Sequence, residues 1–514
     1  MATLSSCGSE GSPDRQASAV SPDDVSPEEL RRAVTDERVR RFYEARGWAP
    51  AWTGERAEQL AAAIREAERH GIDSKKLIKD AAAEANPTER EAALTMAAIV
   101  YADALADGIA EPKKMFEVYE LAGPEVDVIG GLQQAVEKDE VGPWLASLAP
   151  SDPEYKALSD AYLSYKAQAA RGGGQRIEPG ESIKPGQRDP RVPAIVNALR
   201  TNGYLPPEQP QQGGQEQKAK GKQAPPAAAS ADGQVYTKEI AAGVSRLQQD
   251  YGIDADGVIG NSTLEALNAG AADRARILAV NLERRRWLDR QAPATRIDVN
   301  TAAAFLNYWR DGARAHHARV VVGQPDWETP EIGSPLFQLV ANPDWTVPDS
   351  IAEEEILPKG AGYMASQNMR MENGRIVQQP GPKSALGLVK FDLSNKHAIY
   401  LHDTPAKALF ATNDRHSSHG CARVHDAVGF ARLIADHAGV REKFDKALAS
   451  GEKTMVPLGE KIPVRFLYHT AYVDGGKVVF RTDPYGWDET LAQALGFEKR
   501  LRQTVKTHFN DMGP

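Results

Sequence analysis

The chain has 514 residues, 41% of them hydrophobic and 26% charged, with a formal net charge of −9 and a pI near 5.8. That length exceeds what a single hydrophobic core supports, so several domains are expected, and the acidic balance argues against a nucleic-acid binder, which needs a basic face. No apolar run approaches the ~20 residues that span a bilayer, and two cysteines, Cys7 and Cys421, are too few for a disulfide framework, which leaves the internal one a candidate for reactive chemistry.

Residues 1–26 are rich in Ser, Pro, Gly and Asp and read as a flexible tether. Within them Leu4-Ser5-Ser6-Cys7 has the form of a bacterial lipoprotein cleavage box. Only three residues precede it where a secretory signal needs an apolar stretch of about 7–15, so a chance LSSC in a loose tail is the competing reading. From Pro27 the pattern is helical, with Leu30, Val34, Val39 and Phe42-Tyr43 followed by Leu60, Ile64 and Ala67 at helical spacing. Thr53 or Gly54 starts the second helix and Gly71 ends it. A further helix is expected from Glu89 to Ala106, closed by Gly108, and one more carries Leu145, Leu148, Tyr155, Leu158, Tyr162 and Tyr165. Residues 27–170 bring no cluster of His, Asp or Cys together and read as a helical scaffold.

A glycine- and proline-rich stretch leads to a small helical unit over 190–272, interrupted by residues 206–234, whose Pro/Gln/Gly/Lys/Ala composition cannot offset the entropy of ordering and predicts a disordered insertion. The run Asp254-Ala255-Asp256-Gly257-Val258-Ile259-Gly260 lacks the ligand ladder and closing Glu of a calcium loop, so a tight turn is the better reading. A connecting helix, Ile277 to Trp287, follows. Runs at 296–300, 318–322, 337–341, 398–401, 464–468 and 477–481 then read as strands, with helices at 427–438 and 487–495. The expected architecture is multidomain α+β, with a mostly β domain over 295–485 holding a helical or irregular lid at 349–383, and a helical tail over 486–514.

Two segments carry the chemistry. The first is Tyr400-Leu401-His402-Asp403-Thr404-Pro405, and the second Arg415-His416-Ser417-Ser418-His419-Gly420-Cys421-Ala422-Arg423. A thiol needs a base or amide donors to become a nucleophile. His402, at a predicted strand end, is a candidate base for Cys421, placed at a loop-to-helix junction. Gly420 allows a sharp turn and close backbone approach, and amides about Gly420 and Cys421 are candidate oxyanion donors, each worth roughly 3–4 kcal/mol in such sites. Arg423 suits either a substrate carboxylate or a bracing role. A zinc reading of His402, His416, His419 and Cys421 lacks familiar spacing and a Cys-x2-Cys partner. Histidines merely satisfied in a packed loop are the default for any one of them, and convergence on a single thiol disfavours that. A cysteine nucleophile with a histidine base is the reading retained, with no metal or cofactor.

The SHGCxR core after a strand-borne histidine resembles the L,D-transpeptidase (YkuD-type) catalytic domain. Arg319 to Gly323, Thr329-Pro330, Asn342 to Pro348, Gln379 to Pro382, Ala385 to Gly387 and Val389 to Phe391 resemble the large Gram-negative subgroup with a helical scaffold. Gly203-Tyr204, Leu247-Gln248 and Asp256-Gly257 through Thr263 resemble a peptidoglycan-binding-like domain. The resemblance implies acyl transfer: Cys421 attacks a stem tetrapeptide donor, D-Ala leaves, and the side-chain amine of a neighbouring stem resolves the thioester into a 3–3 cross-link. It also implies supporting roles for Ser418, His419 and Gly420, a substrate groove to which Tyr400 and Trp345 contribute where they are not core, inhibition by carbapenems, and a periplasmic location with a lipid tether at Cys7 as an open alternative. The competitors are an L,D-carboxypeptidase or hydrolase on the same site and a non-catalytic wall-binding scaffold.

Overall fold

A computed structural model describes residues 25–74, 77, 86–171, 176–206 and 231–499. Cys7, nearly all of the expected tether, most of the expected insertion and the chain after 499 lie outside the described residues. Those described fall into two compact units, one holding 25–106 and 125–150 and the other 107–124 and 151–499.

In the first unit, polar residues start the helices by accepting from backbone N–H groups that have no partner inside the first turn. Ser26 precedes Pro27–Ala33, Asp36 precedes Glu37–Ala45 and Thr53 precedes Gly54–Arg65. A 3-10 turn, Glu66–His70, continues the third helix to Gly71 in the left-handed region. Pro87–Ala106, Val128–Glu137 and Val141–Leu148 complete the bundle. Its core holds a buried carboxylate, Glu91, which accepts from Tyr43 Oη at 2.9 Å and from the Ala51 and Trp52 amides.

The expected scaffold span 27–170 is divided between the units. The single helix expected through Leu145 and Tyr165 breaks at Pro150, and Asp152 caps a new helix, Pro153–Ala170. That helix lies in the second unit because Tyr155, Leu158 and Tyr162 bury with Leu278, Leu282 and Phe480, while Arg286 donates to Tyr155 Oη at 3.1 Å. The connecting helix is longer than expected, Ala271–Arg286, and almost wholly buried. Its arginines are tolerated there because each meets an acid or phenol, as in the Arg284–Asp488 and Arg286–Glu283 pairs.

The small helical unit uses Val192–Thr201, Lys238–Tyr251 and Asn261–Asn268. Its Asp/Gly loop is closed by the buried Gln248, which donates to Asp256 Oδ1 at 2.9 Å, Val258 O at 3.0 Å and Thr263 Oγ1 at 3.1 Å. Gln248 Oε1 accepts from the Gly257 amide at 2.9 Å. The loop is the turn its Asp and Gly residues predict.

Ten strands form the large sheet: β1 Arg296–Asn300, β2 Phe305–Arg310, β3 Ala313–Gly323, β4 Leu336–Ala341, β5 Val389–Leu393, β6 Leu401–His402, β7 His416–Ser418, β8 Ala422–Val424, β9 Thr454–Ile462 and β10 Val464–Leu467. Their order is β9-β4-β5-β6-β8-β3-β2-β1-β10, with β7 beside β3. Ile297, Leu306, Val320, Val322, Leu339, Phe391, Leu401, Ala422 and Val424 bury one face against Phe430 and Ile434 of helix Ala427–His437 and Phe444 of helix Arg441–Ala449. The expected strand 398–401 is reduced to β6. Asn395 accepts from the His397 and Ile399 amides and donates to Ile399 O, which holds 395–399 as a turn. The lid segment also departs from a purely helical or irregular reading. After short helical turns from Asp349 to Ser366 it forms strands Met369–Glu372 and Arg375–Gln378, paired to each other and to Trp345–Thr346. The tail helix is Trp487–Ala494, packed against Trp287 and Phe116.

Candidate active site

Strand alternation separates scaffold from chemistry. β6 runs parallel to β8, with Leu401 opposite Ala422 and His402 opposite Arg423, and antiparallel to β5, with Lys390 opposite His402. Leu401, Ala422, Val389 and Phe391 point into the core. Their alternates Tyr400, His402, Cys421, Arg423 and Lys390 therefore share the other face. Cys421 does not stand at a loop-to-helix junction. It directly precedes β8, and the next helix starts at Ala427.

The register seats Cys421 beside Tyr400, whose carbonyl accepts from the Ala422 amide at 3.2 Å, and sets His402 one pleat further along. That makes His402 and Cys421 diagonal neighbours on one face of adjacent strands. The His402 ring lies 5.6 Å from that of Tyr400, centroid to centroid. Its Nδ1 meets the Asp403 carbonyl at 2.5 Å. A carbonyl can only accept, so Nδ1 carries the proton and Nε2 is the basic nitrogen.

Cys421 is 5% exposed and His402 fully buried. The thiol donates to Ala398 O at 3.6 Å. Burial pushes it up to about 11, against the downward pull of the Tyr400 amide, the Lys390 charge, the Tyr400 hydroxyl and the Arg423 charge. Left to itself the sulfur is a thiol at neutral pH.

The loop that leads to Cys421 is held from beneath. Ser418 Oγ donates to Cys421 O at 2.6 Å and accepts from the Gly420 amide at 3.2 Å. Thr329 Oγ1 donates to Gly420 O at 2.7 Å and accepts from the Gly323 amide at 2.9 Å. The Gly420 amide, a candidate oxyanion donor on the sequence, is thus turned inward to Ser418. Gly420 sits at φ +108°, where a side chain is strained. Gly323 is required for another reason, since a Cβ there would meet Trp327 O at 2.1 Å.

His419 faces the lid, with Nε2 2.7 Å from Glu355 Oε1 and its ring edge-on to Trp327. Trp345 is buried with Val347, Ile351, Ile356 and Leu386 in the lid's own core, against which Tyr400 packs. His416 is a bracing residue, bonded at 2.9 Å to both Asp414 Oδ1 and Thr301 O. Among the described residues no group of three or more His, Cys, Asp or Glu is placed to hold a metal ion. Sequence reasoning gave no role to Thr329, Glu355, Ala398 or Lys390. All four lie in stretches it quoted for other reasons, Ala398 at the start of an expected strand and Glu355 in the expected lid.

Comparison with known families agrees with this layout. Residues 294–456 match the YkuD L,D-transpeptidase catalytic domain, 37–172 the scaffold domain, and 188–267 a peptidoglycan-binding domain whose description is provisional. The chain carries an L,D-transpeptidase catalytic domain of the YkuD family, joined to scaffold and peptidoglycan-binding domains. A Haemophilus influenzae protein, provisionally named an L,D-transpeptidase, is 33% identical over 219 residues, which is 38% of this chain and 45% of the relative. The chain thus spans about half the length of that curated relative. Two solved structures are distantly similar. One is the Ldtfm–avibactam carbamoyl enzyme, 16% identical with a TM-score of 0.21 over 34% of this chain and 49% of the other. The second is an L,D-transpeptidase from Xylanimonas cellulosilytica, 14% identical with a TM-score of 0.17 over 56% and 98%.

Proposed function

We propose that this chain is a peptidoglycan L,D-transpeptidase that works through a Cys421 thioester. The observation that carries the reading is the placement of Cys421, His402 and Arg423 on one face of adjacent strands, opposite the core and beside a lid. His402 Nε2 takes the Cys421 proton, and the thiolate attacks the donor carbonyl before the terminal D-Ala. The imidazolium returns that proton to the departing amine, so D-Ala leaves and a thioester remains. The acceptor amine then attacks the thioester, gives its proton to His402 and regenerates the thiol. Arg423 serves a substrate carboxylate or braces the strand.

The buried sulfur and the lid contact at His419 favour amine over water as the resolving nucleophile, because an enclosed acyl-enzyme is sheltered from hydrolysis. That supports 3–3 cross-linking over an L,D-carboxypeptidase. A periplasmic location follows from the substrate, and a lipid tether at Cys7 belongs to the same proposal. No helix among the described residues is long and apolar enough to cross a membrane. The test is intact mass after incubation with a carbapenem, beside Cys421→Ala, together with muropeptide analysis on tetrapeptide donors. An adduct on the parent alone, with dimers formed, is expected. An adduct on Cys421→Ala refutes the nucleophile, and monomeric tripeptide without dimers refutes transfer.

A further inference from the structure

His402 has a cation on each side of it across the sheet, and the two differ in access. Met455, Val340, Lys390, His402 and Arg423 stand in one row across β9, β4, β5, β6 and β8, so they share the face on which Cys421 lies. Arg423 closes one end of the row at 1% exposure, and Met455 opens the other at 57%. Lys390 lies between them, its side chain 25% exposed. Its ammonium is held in place. Nζ meets Asp392 Oδ1 at 2.7 Å and stands 4.3 Å over the Tyr400 ring centroid. Asp392 Oδ2 in turn accepts from Gln338 Nε2 at 2.6 Å. An ammonium has three N–H donors, and Asp392 takes one of them, which leaves donors for a further anion on the open side of His402.

The chemistry at His402 fixes what stands beside it. The departing amine takes its proton from His402, and in a terminal D-Ala the carboxylate is carried on the same carbon as that amine. An anion is therefore one carbon away from the atom that His402 protonates. We propose that Lys390 is the residue that binds this carboxylate, so that it selects donors whose last residue ends in a free acid, while Arg423 braces the strand. The inference rests on the Cys421–His402 reading above and assigns to Lys390 the carboxylate contact that the sequence offered to Arg423. The accessible cation next to the base, and not the buried one, faces the leaving group.

The test compares two tetrapeptide donors on the full-length protein, one ending in D-Ala and the other in D-alaninamide. The readout is release of D-Ala or D-alaninamide as kcat/KM. The parent is expected to prefer the free acid by about tenfold or more, the effect of one hydrogen bond between charged groups. Lys390→Met is expected to lose that preference by slowing the free-acid donor alone, chiefly through KM, and Lys390→Arg to keep most of it. A Lys390→Met protein that retains the parent's preference overturns the proposal. So does one slowed equally on both donors, which marks a purely structural role. Should Lys390→Met fail to fold, equal rates of the parent on the two donors overturn the proposal, and a preference kept by Lys390→Arg supports it. Failure of the underlying reading looks different: release from both donors is retained by Cys421→Ala, which overturns the nucleophile and this inference together.

Discussion

In the peptidoglycan-binding domain the loop from Asp254 to Gly260 turns about Gln248, and in the catalytic domain the loop from Ser417 to Cys421 turns about Ser418 and Thr329. Both use glycine in the left-handed region, Gly257 at φ +69° and Gly420 at φ +108°, and both are closed by buried polar side chains that bond backbone groups. They differ in what is left over. Gln248 spends its amide on loop atoms and Asp256 accepts from Gln248 and from the Val258 amide, so the first loop is finished as structure. In the second, the supports lie underneath, and the sulfur above them meets the Ala398 carbonyl and is pushed up by burial. Saturated hydrogen bonding makes a turn rigid, whereas a polarised atom left on a braced loop makes a site.

Substitutions can break that contrast. Cys421→Ala is expected to have the largest effect, a loss of turnover of about a thousandfold or more with no covalent adduct by mass. His402→Ala should lower acylation by roughly 10²–10⁴. It should also move the pH midpoint of Cys421 alkylation toward the thiol's own value of about 11, because burial favours the neutral form until the pH passes that point. Labelling of that variant that follows a near-neutral midpoint would show that His402 is not the base.

Thr329→Val sharpens the comparison, since it removes the hydroxyl that bridges Gly420 O and the Gly323 amide. It should cost about 1–3 kcal/mol of stability by stranding buried groups, and slow acylation through a loosened loop. Gln248→Ala should cost a similar ~1–3 kcal/mol yet leave the acylation rate of the folded protein unchanged, as measured by denaturant melts beside carbapenem kinetics. The smallest effect is expected from Glu355→Gln. The His419 contact is partly exposed on its acid side, so the stability change by denaturant melts is about 0.5–1 kcal/mol at most, and the loosened lid contact is expected to raise the ratio of hydrolysed to cross-linked muropeptides slightly.

Much of the site could be read from the residues. A lone internal cysteine after His-Gly, with a histidine at a strand end nineteen positions earlier, is the pattern from which Cys421 and His402 are proposed as nucleophile and base. The helix start at Thr53 or Gly54 and the turn at Asp256-Gly257 were equally local, since caps and left-handed turns are decided by residues within four positions of one another. Helix Pro153–Ala170 illustrates where that ends. Its periodicity was visible, but its allegiance to the second unit depends on Tyr155 meeting Arg286, a partner 131 residues away.

Amino-acid order alone determined the candidate reactive groups, the alternation that separates them from the core, and the glycine on which the loop before Cys421 turns. Only the tertiary structure decided that Tyr400 and not His402 stands straight across from the sulfur, that Lys390 backs that ring, that the Gly420 amide faces inward, and that Glu355 reaches His419 from the lid. These are matters of strand register and of loops packed from distant segments. One residue of slip would turn the same side chains to the opposite face, and short-range propensity carries no information about it.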